Sequence, residues 1–390
     1  MRVKFGDLAQ CVNDRVDDPK AAGVERYVGL EHLDPGNLSI CRWGTPDEVE
    51  STKLRFKPGD IIFGKRRAYQ RKLAVADFEG ICSAHAMVLR AKPKAVLPEF
   101  LPFFMQSDLF MERAVAISVG SLSPTINWKT LAAEEFALPP LDEQRRLATV
   151  LRRAADVAGE FRSAARIGNR ARDSLIVELY TRGLRGESMT TTPVGSVPRS
   201  WSVEPLGNRY SIQLGKMMSE TARSGGNGGK HIPYLRNANV QWNRLELDDV
   251  ATMAFTETER EKFCLRPGDI LACEGRHVGK SAIWRDEIPG ACYQKALHRL
   301  RATGSDVPEF LLHCLYFLSI TGRFVALTGE TTIPHLPAEK LRSMEIAFPS
   351  VGEQKEISQA IDSFDRSIDA LNMRAQRAAA LIRSFNVEAA

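Results

Sequence analysis

The chain of 390 residues repeats itself, and that repeat limits its fold more than any other feature. Pro139-Pro140-Leu141-Asp142-Glu143-Gln144 runs into an Ala- and Arg-rich helical pattern. About 210 positions later, Pro349-Ser350-Val351-Gly352-Glu353-Gln354 runs into another. Upstream, Phe56-Lys57-Pro58-Gly59-Asp60-Ile61 returns as Leu265-Arg266-Pro267-Gly268-Asp269-Ile270, and Pro98-Glu99-Phe100-Leu101 returns as Pro308-Glu309-Phe310-Leu311. Thr125-Ile126 and Thr332-Ile333 keep the same order. The expected plan is therefore one unit used twice, a globular block and then a long helix. The boundaries are block one at 1–138, helix one at 139–183, a linker at 184–196, block two at 197–348 and helix two at 349–390.

Within a block the pattern is mixed. Ile61-Ile62-Phe63 and Ala86-Met87-Val88-Leu89 predict strands, Pro58-Gly59-Asp60 a turn, and Glu99 to about Ala116 a helical stretch. No regular βαβ spacing is present, so the class is α+β rather than a dinucleotide-binding sheet. The long helices are read from their stripes. In the first, Leu147, Val150, Ala154, Val157, Phe161, Ala164, Gly168, Ala171 and Leu175 recur every three or four positions. About 40 residues at 1.5 Å each make a helix roughly 60 Å long, too long for one small block to cover. In the second, Ile361, Phe364, Ile368, Leu371, Ala375, Ala378, Ile382 and Phe385 alternate in steps of three and four, a coiled-coil seam. Each helix leaves a different block, so the two are expected to pair antiparallel. Ser350 and Glu353 predict a capping box at the start of the second.

The chemistry is sparse. Gly275-Arg276-His277-Val278-Gly279-Lys280-Ser281 is one residue too short between its glycines for a phosphate-binding loop. Glu353-Gln354-Lys355 has the E-x-K form of a nuclease tail, but it opens a helix, where capping explains the acid. The histidines show no metal spacing, so no metal is expected. Seven cysteines without a C-x-x-C pair argue against a zinc ribbon or disulfide framework and suit a reducing, cytoplasmic setting. The most apolar run, Phe310 to Ile320, is too short to span a bilayer, so no membrane association is expected.

The positive feature is basic. Lys65, Arg66, Arg67, Arg71 and Lys72 crowd around Tyr69, just after an expected strand, and Arg276, His277 and Lys280 occupy the matching place in the second half. A net charge of +5 is too mild to argue for nucleic acid. Basic side chains gathered on a turn can nevertheless reach phosphates, and Arg can read guanine edges. A solvated basic loop is the plain alternative for one such turn; its recurrence in both halves favours binding.

Taken together, these motifs resemble the specificity subunits of type I restriction-modification systems. The resemblance rests on the two P-G-D-I segments, Gly80-Ile81-Cys82-Ser83, the two E-Q helix starts and Val197-Pro198 to Trp201. Tyr27-Val28-Gly29-Leu30-Glu31 and Tyr234-Leu235-Arg236-Asn237-Ala238-Asn239 look like the family's paired early segments, which adds Arg236, Asn237 and Asn239 to the expected DNA contacts. It implies two target-recognition domains, each reading half of a split, asymmetric double-stranded DNA target, joined by two long antiparallel coiled-coil helices. It also implies a chain without catalysis or cofactor of its own. Two adenine-N6 methyltransferase subunits would bring S-adenosylmethionine, and restriction subunits would bring ATP and Mg2+. The competing readings are a self-contained DNA methyltransferase or nuclease and a helical scaffold that binds only protein.

Overall fold

A computed structural model describes residues 2–218, 229–275, 277–324 and 335–385. By internal contacts the chain forms two units, Met1–Arg166 with Asp369–Ala390, and Ile167–Ile368, so each long helix contributes to both.

In the first unit, strands Ala9–Val12, Ala86–Ala91, Ile61–Gly64 and Leu73–Val75 form an antiparallel sheet in that spatial order. A second sheet orders Arg15–Val16, Lys53–Phe56, Gly80–Ser83 and Tyr27–Val28, the last pair being parallel. Side chains on a strand alternate between faces. Ile61 and Phe63 therefore pack with Phe100, Phe104 and Phe110, while Ile62 packs with Leu54, Phe56 and Cys82. Burial on both faces explains why the run is apolar throughout. The second unit repeats this plan. Tyr210–Leu214, Leu297–Ala302, Ile270–Cys273 and Ser281–Ile283 form the first sheet, and Ala251–Phe255, Lys230–Leu235 and Cys292–Tyr293 the second, again ending in a parallel pair.

The repeated motifs are structural joints. Gly59 (φ +88°) and Gly268 (φ +91°) sit in left-handed turns that disfavour a side chain. The buried Asp60 accepts from the Lys57 amide at 2.9 Å and from Arg90 at 2.6 and 2.8 Å. Asp269 does the same with the Arg266 amide at 2.7 Å and Arg301, twice, at 2.6 Å. A buried carboxylate is tolerable when a guanidinium fork satisfies it. The helix-start glutamines tie each helix to its block. Gln144 Oε1 accepts from the Leu97 amide at 3.0 Å, and Gln354 Oε1 from the Val307 amide at 2.9 Å. Their Nε2 groups donate to the Pro139 and Pro349 carbonyls. Leu97 and Val307 directly precede the two P-E-F-L segments, so the two motifs meet as one contact.

The long helices span Leu141–Arg182 and Val351–Ser384. In the first unit Leu151 packs against Ile382; in the second, Ile176 and Leu179 lie in one core with Ile357 and Ile361. Early residues of one helix meet late residues of the other, so the pair is antiparallel. The seam of the first helix differs from expectation by one residue. Ala148, Leu151, Ala158, Ala165, Ile176 and Leu179 are buried, whereas Val150 is 65% exposed and Val157 43%. Leu147, Ala154, Phe161 and Leu175 lie half-buried at the edge. The apolar residues come in adjacent pairs (Leu147-Ala148, Val150-Leu151, Val157-Ala158, Leu175-Ile176), and the fold buries the second of each. In the second helix Ile361, Ile368, Ala375 and Ile382 are buried as expected. Phe364 is 39% exposed, and Leu371 is half-buried. Phe385 packs edge-on to Phe100.

Three further expectations change. The linker stretch carries a hairpin, Met189–Thr192 against Gly195–Pro198, with Gly195 at φ +107°. The helical stretch after Glu99 is two helices, Leu101–Gln106 and Asp108–Ala116, because Ser107 caps the second. The capping box is half-formed. Ser350 Oγ accepts from the Glu353 amide at 3.3 Å, while Glu353 is buried and its Oε1 has no hydrogen-bond partner among the described residues. The loop-like segment near Gly275 joins two antiparallel strands instead of leading into a helix. Thr332-Ile333 lies outside the described residues. Among those residues no helix is long and apolar enough to cross a membrane.

Candidate nucleic-acid interface

The basic turn of the first unit joins strands Ile61–Gly64 and Leu73–Val75. Its ends are stapled by the Gly64 amide donating to the Lys72 carbonyl at 2.9 Å. Between them Arg67 (φ 56°) and Arg71 (φ 53°) take the left-handed conformation and flank one helical turn, Ala68–Gln70. Left-handed backbone at residues with side chains costs energy and tends to collect at functional positions. Ala68 is buried beneath the turn, which leaves Arg66, Arg67 and Tyr69 facing solvent.

The structure separates these side chains by their partners. Arg71 is ion-paired with Asp108, and Lys72 Nζ donates to the Leu30 carbonyl at 2.7 Å. Arg67 Nε donates to Ser123 Oγ at 3.1 Å. Arg66 Nη1 lies 3.4 Å from His85 Nε2, which must accept because a guanidinium only donates. Partial burial, then the neighbouring Arg66 and Lys65, holds the His85 imidazole below its usual range, consistent with that neutral acceptor. Arg66, Arg67 and Tyr69 form the outward face of the turn, Lys65 is half-buried, and Arg71 and Lys72 brace it.

A second segment joins this face. The Lys65 carbonyl accepts from the Ile126 amide at 2.9 Å, and the Arg67 amide donates to the Pro124 carbonyl at 2.7 Å. Val119 and Thr125 exchange both backbone hydrogen bonds, at 3.1 and 2.9 Å, closing a narrow loop. Sequence reasoning marked Thr125-Ile126 only as a repeat landmark; the Gly120, Ser121, Ser123 and Pro124 composition was the available turn signal.

In the second unit Asn237 Nδ2 donates to the Gly275 carbonyl at 3.2 Å, which ties the early segment to the matching turn. His277 is exposed, and Lys280 Nζ donates to Gln241 Oε1 at 2.8 Å. Arg276 lies outside the described residues. Arg236 is engaged by Asp249 at 2.8 Å. Asn239 does not fit a DNA contact. It is buried, its Oδ1 accepts from the Arg236 amide at 2.9 Å, and its Nδ2 donates to the Glu246 and Asp249 carbonyls. His32 Nδ1 plays the corresponding part in the first unit, accepting from the Gly29 amide at 3.0 Å. These residues close a turn.

His313, Asp362 and Asp365 gather closely, but Arg172 already pairs with Asp365 at 3.0 Å, and His313 Nε2 lies 3.0 Å from Asp362. Burial pushes the Cys82, Cys273 and Cys314 thiols up to about 12, which makes them poor nucleophiles at neutral pH.

Residues 28–157 and 201–378 match the family described as type I restriction modification DNA specificity domain. The chain belongs to this family. Both basic turns of this specificity-domain protein fall inside the matched stretches. It is 22% identical over 388 residues to the type I restriction enzyme MjaVIII specificity subunit of Methanocaldococcus jannaschii, covering 94% of this chain and 86% of that one. It is 31% identical over 230 residues to the EcoDI specificity subunit of Escherichia coli, covering 57% and 48%. The crystal structure of a type I restriction-modification S subunit from M. genitalium shares the fold, with a TM-score of 0.52 at 14% identity over 98% of this chain and 93% of that one.

Proposed function

We propose that this chain is the DNA-reading subunit of a type I restriction-modification complex. Each block reads one half of a split, asymmetric target on double-stranded DNA, and the antiparallel helices set the spacer. The observation that carries this reading is the recurrence of a cation-bearing turn at the same strand junction in both copies of the unit. The chain performs no catalysis. Methyl transfer to adenine N6 belongs to two methyltransferase subunits that bind S-adenosylmethionine, and cleavage to restriction subunits that use ATP and Mg2+. Val150 and Val157, one heptad apart on the first long helix and exposed, give a methyltransferase subunit apolar side chains on which to dock.

The test is purification of the chain alone and with its methyltransferase subunits, followed by mapping of methylated adenines. The complex should methylate one bipartite motif, and the chain alone should transfer no methyl group. Methyl transfer by the isolated chain would make it a self-contained enzyme. A complex whose DNA binding does not need this chain would make it a protein scaffold.

A further inference from the structure

The loop beside the first basic turn carries two exposed apolar side chains, Leu122 at its tip, 90% exposed, and Val119 at its closing pair, 80% exposed. Single exposed apolar residues are ordinary. These two are unusual in their setting. The loop is closed by the paired Val119–Thr125 hydrogen bonds and fastened by backbone hydrogen bonds to Lys65 and Arg67, so it is held against the outward arginines. From Ile117 to Ile126 it has no charged residue. Resting on the reading of this block as DNA-binding, we propose that the loop enters the major groove and that Leu122 selects a thymine by contact with its methyl group.

Three physical points support this choice of occupant. The major groove, about 12 Å wide, admits a two-stranded ribbon, and the loop likewise brings two backbone arms side by side at the Val119–Thr125 pair. An uncharged tip approaches the DNA without repulsion from phosphates, while Arg66 and Arg67 beside it supply attraction. The thymine C5-methyl is the apolar group on the major-groove edges of the bases, so an apolar tip discriminates for it.

The experiment uses the full chain with its methyltransferase subunits and duplexes of the mapped motif. Each thymine in the half-site read by the first block is replaced in turn by deoxyuridine, which lacks only the methyl. One such replacement should weaken wild-type binding about fourfold, the effect of one buried methyl-sized group. Leu122→Ala should bind the natural duplex more weakly by a similar factor and be indifferent to that deoxyuridine. Its melting temperature should match wild type, since Leu122 is exposed at the loop tip. A half-site without thymine on either strand overturns the inference, as does deoxyuridine sensitivity that persists in Leu122→Ala. Arg66→Ala separates the two levels. If it weakens binding while Leu122→Ala and deoxyuridine do nothing, only the groove contact falls; if it also does nothing, the DNA-reading role of the turn falls.

Discussion

Arg66 and Arg71 share one short turn, yet their partners assign them different work. Arg66 faces solvent beside a neutral His85, whereas Arg71 is paired with Asp108. Removing a phosphate-neutralising side chain lowers the salt dependence of DNA binding by about one unit. Arg66→Ala should show that loss in binding titrations at several salt concentrations, equally on all sequences. Arg71→Ala should leave the salt slope nearly intact and cost at most about 1 kcal/mol of stability, the worth of a partly exposed ion pair. A different residue sets a pH response. His298 is buried, with Nε2 2.8 Å from the Leu336 carbonyl and Nδ1 without a hydrogen-bond partner among the described residues, and burial lowers its pKa below 6.5. The unfolded chain then binds the extra proton. Its contribution to stability is full above pH 6.5 and is lost as pH falls from there through the lower folded-state value. Melting temperature should drop on acidification from pH 8 to 5.5, with a shallower slope in His298→Gln. None of these assignments was legible from residue type, because an arginine or asparagine gives no sign of whether its partner is solvent or an aspartate far along the chain. Asn239, expected at the DNA and found closing a turn, is the clearest case.

At the scale of elements, the helices and their heptad spacing were readable, but the phase of the first was not. Doublets such as Val150-Leu151 satisfy two neighbouring stripes equally well, and only the packed partner selects one. The selection has a sharp consequence. Leu151→Ala and Ile361→Ala should each destabilise by about 2–5 kcal/mol, as buried large-to-small changes do. Val150→Ala should stay within about 0.5 kcal/mol, as surface changes do. Denaturant unfolding of the four-residue set, with Phe364→Ala expected to cost less than Ile361→Ala, checks the phase directly. Gln354→Ala leaves the Val307 amide without its acceptor and should cost about 1–3 kcal/mol. The P-G-D turns were legible as turns, since Pro and Gly dictate local backbone. Their partners, Arg90 and Arg301, were not, because each lies three strands on.

For the whole molecule, the repeat makes the specificity modular. Exchanging residues up to Leu138 for the block of a relative should change one half of the methylated motif and leave the other. Four residues inserted in both helices, after Ala164 and near Ala375, add about 6 Å of length and a net turn of about 40°. DNA advances about 3.4 Å per base pair and turns roughly 35°. The mapped motif should therefore gain one or two spacer base pairs with both half-sites unchanged; an active variant with the original spacer refutes the idea. The sequence by itself determined the duplicated plan, the α+β class, the paired helices and the place of the basic turns. All of these are written in local spacing and composition, which neighbouring residues enforce. Only the tertiary structure decided which face of the first helix is buried, which cations stay free, and that the Val119–Thr125 loop stands against Arg66 and Arg67. The buried face depends on Phe103 and Ile382, and the rest on Asp108, Leu30 and Pro124, groups brought close by folding and far apart along the chain.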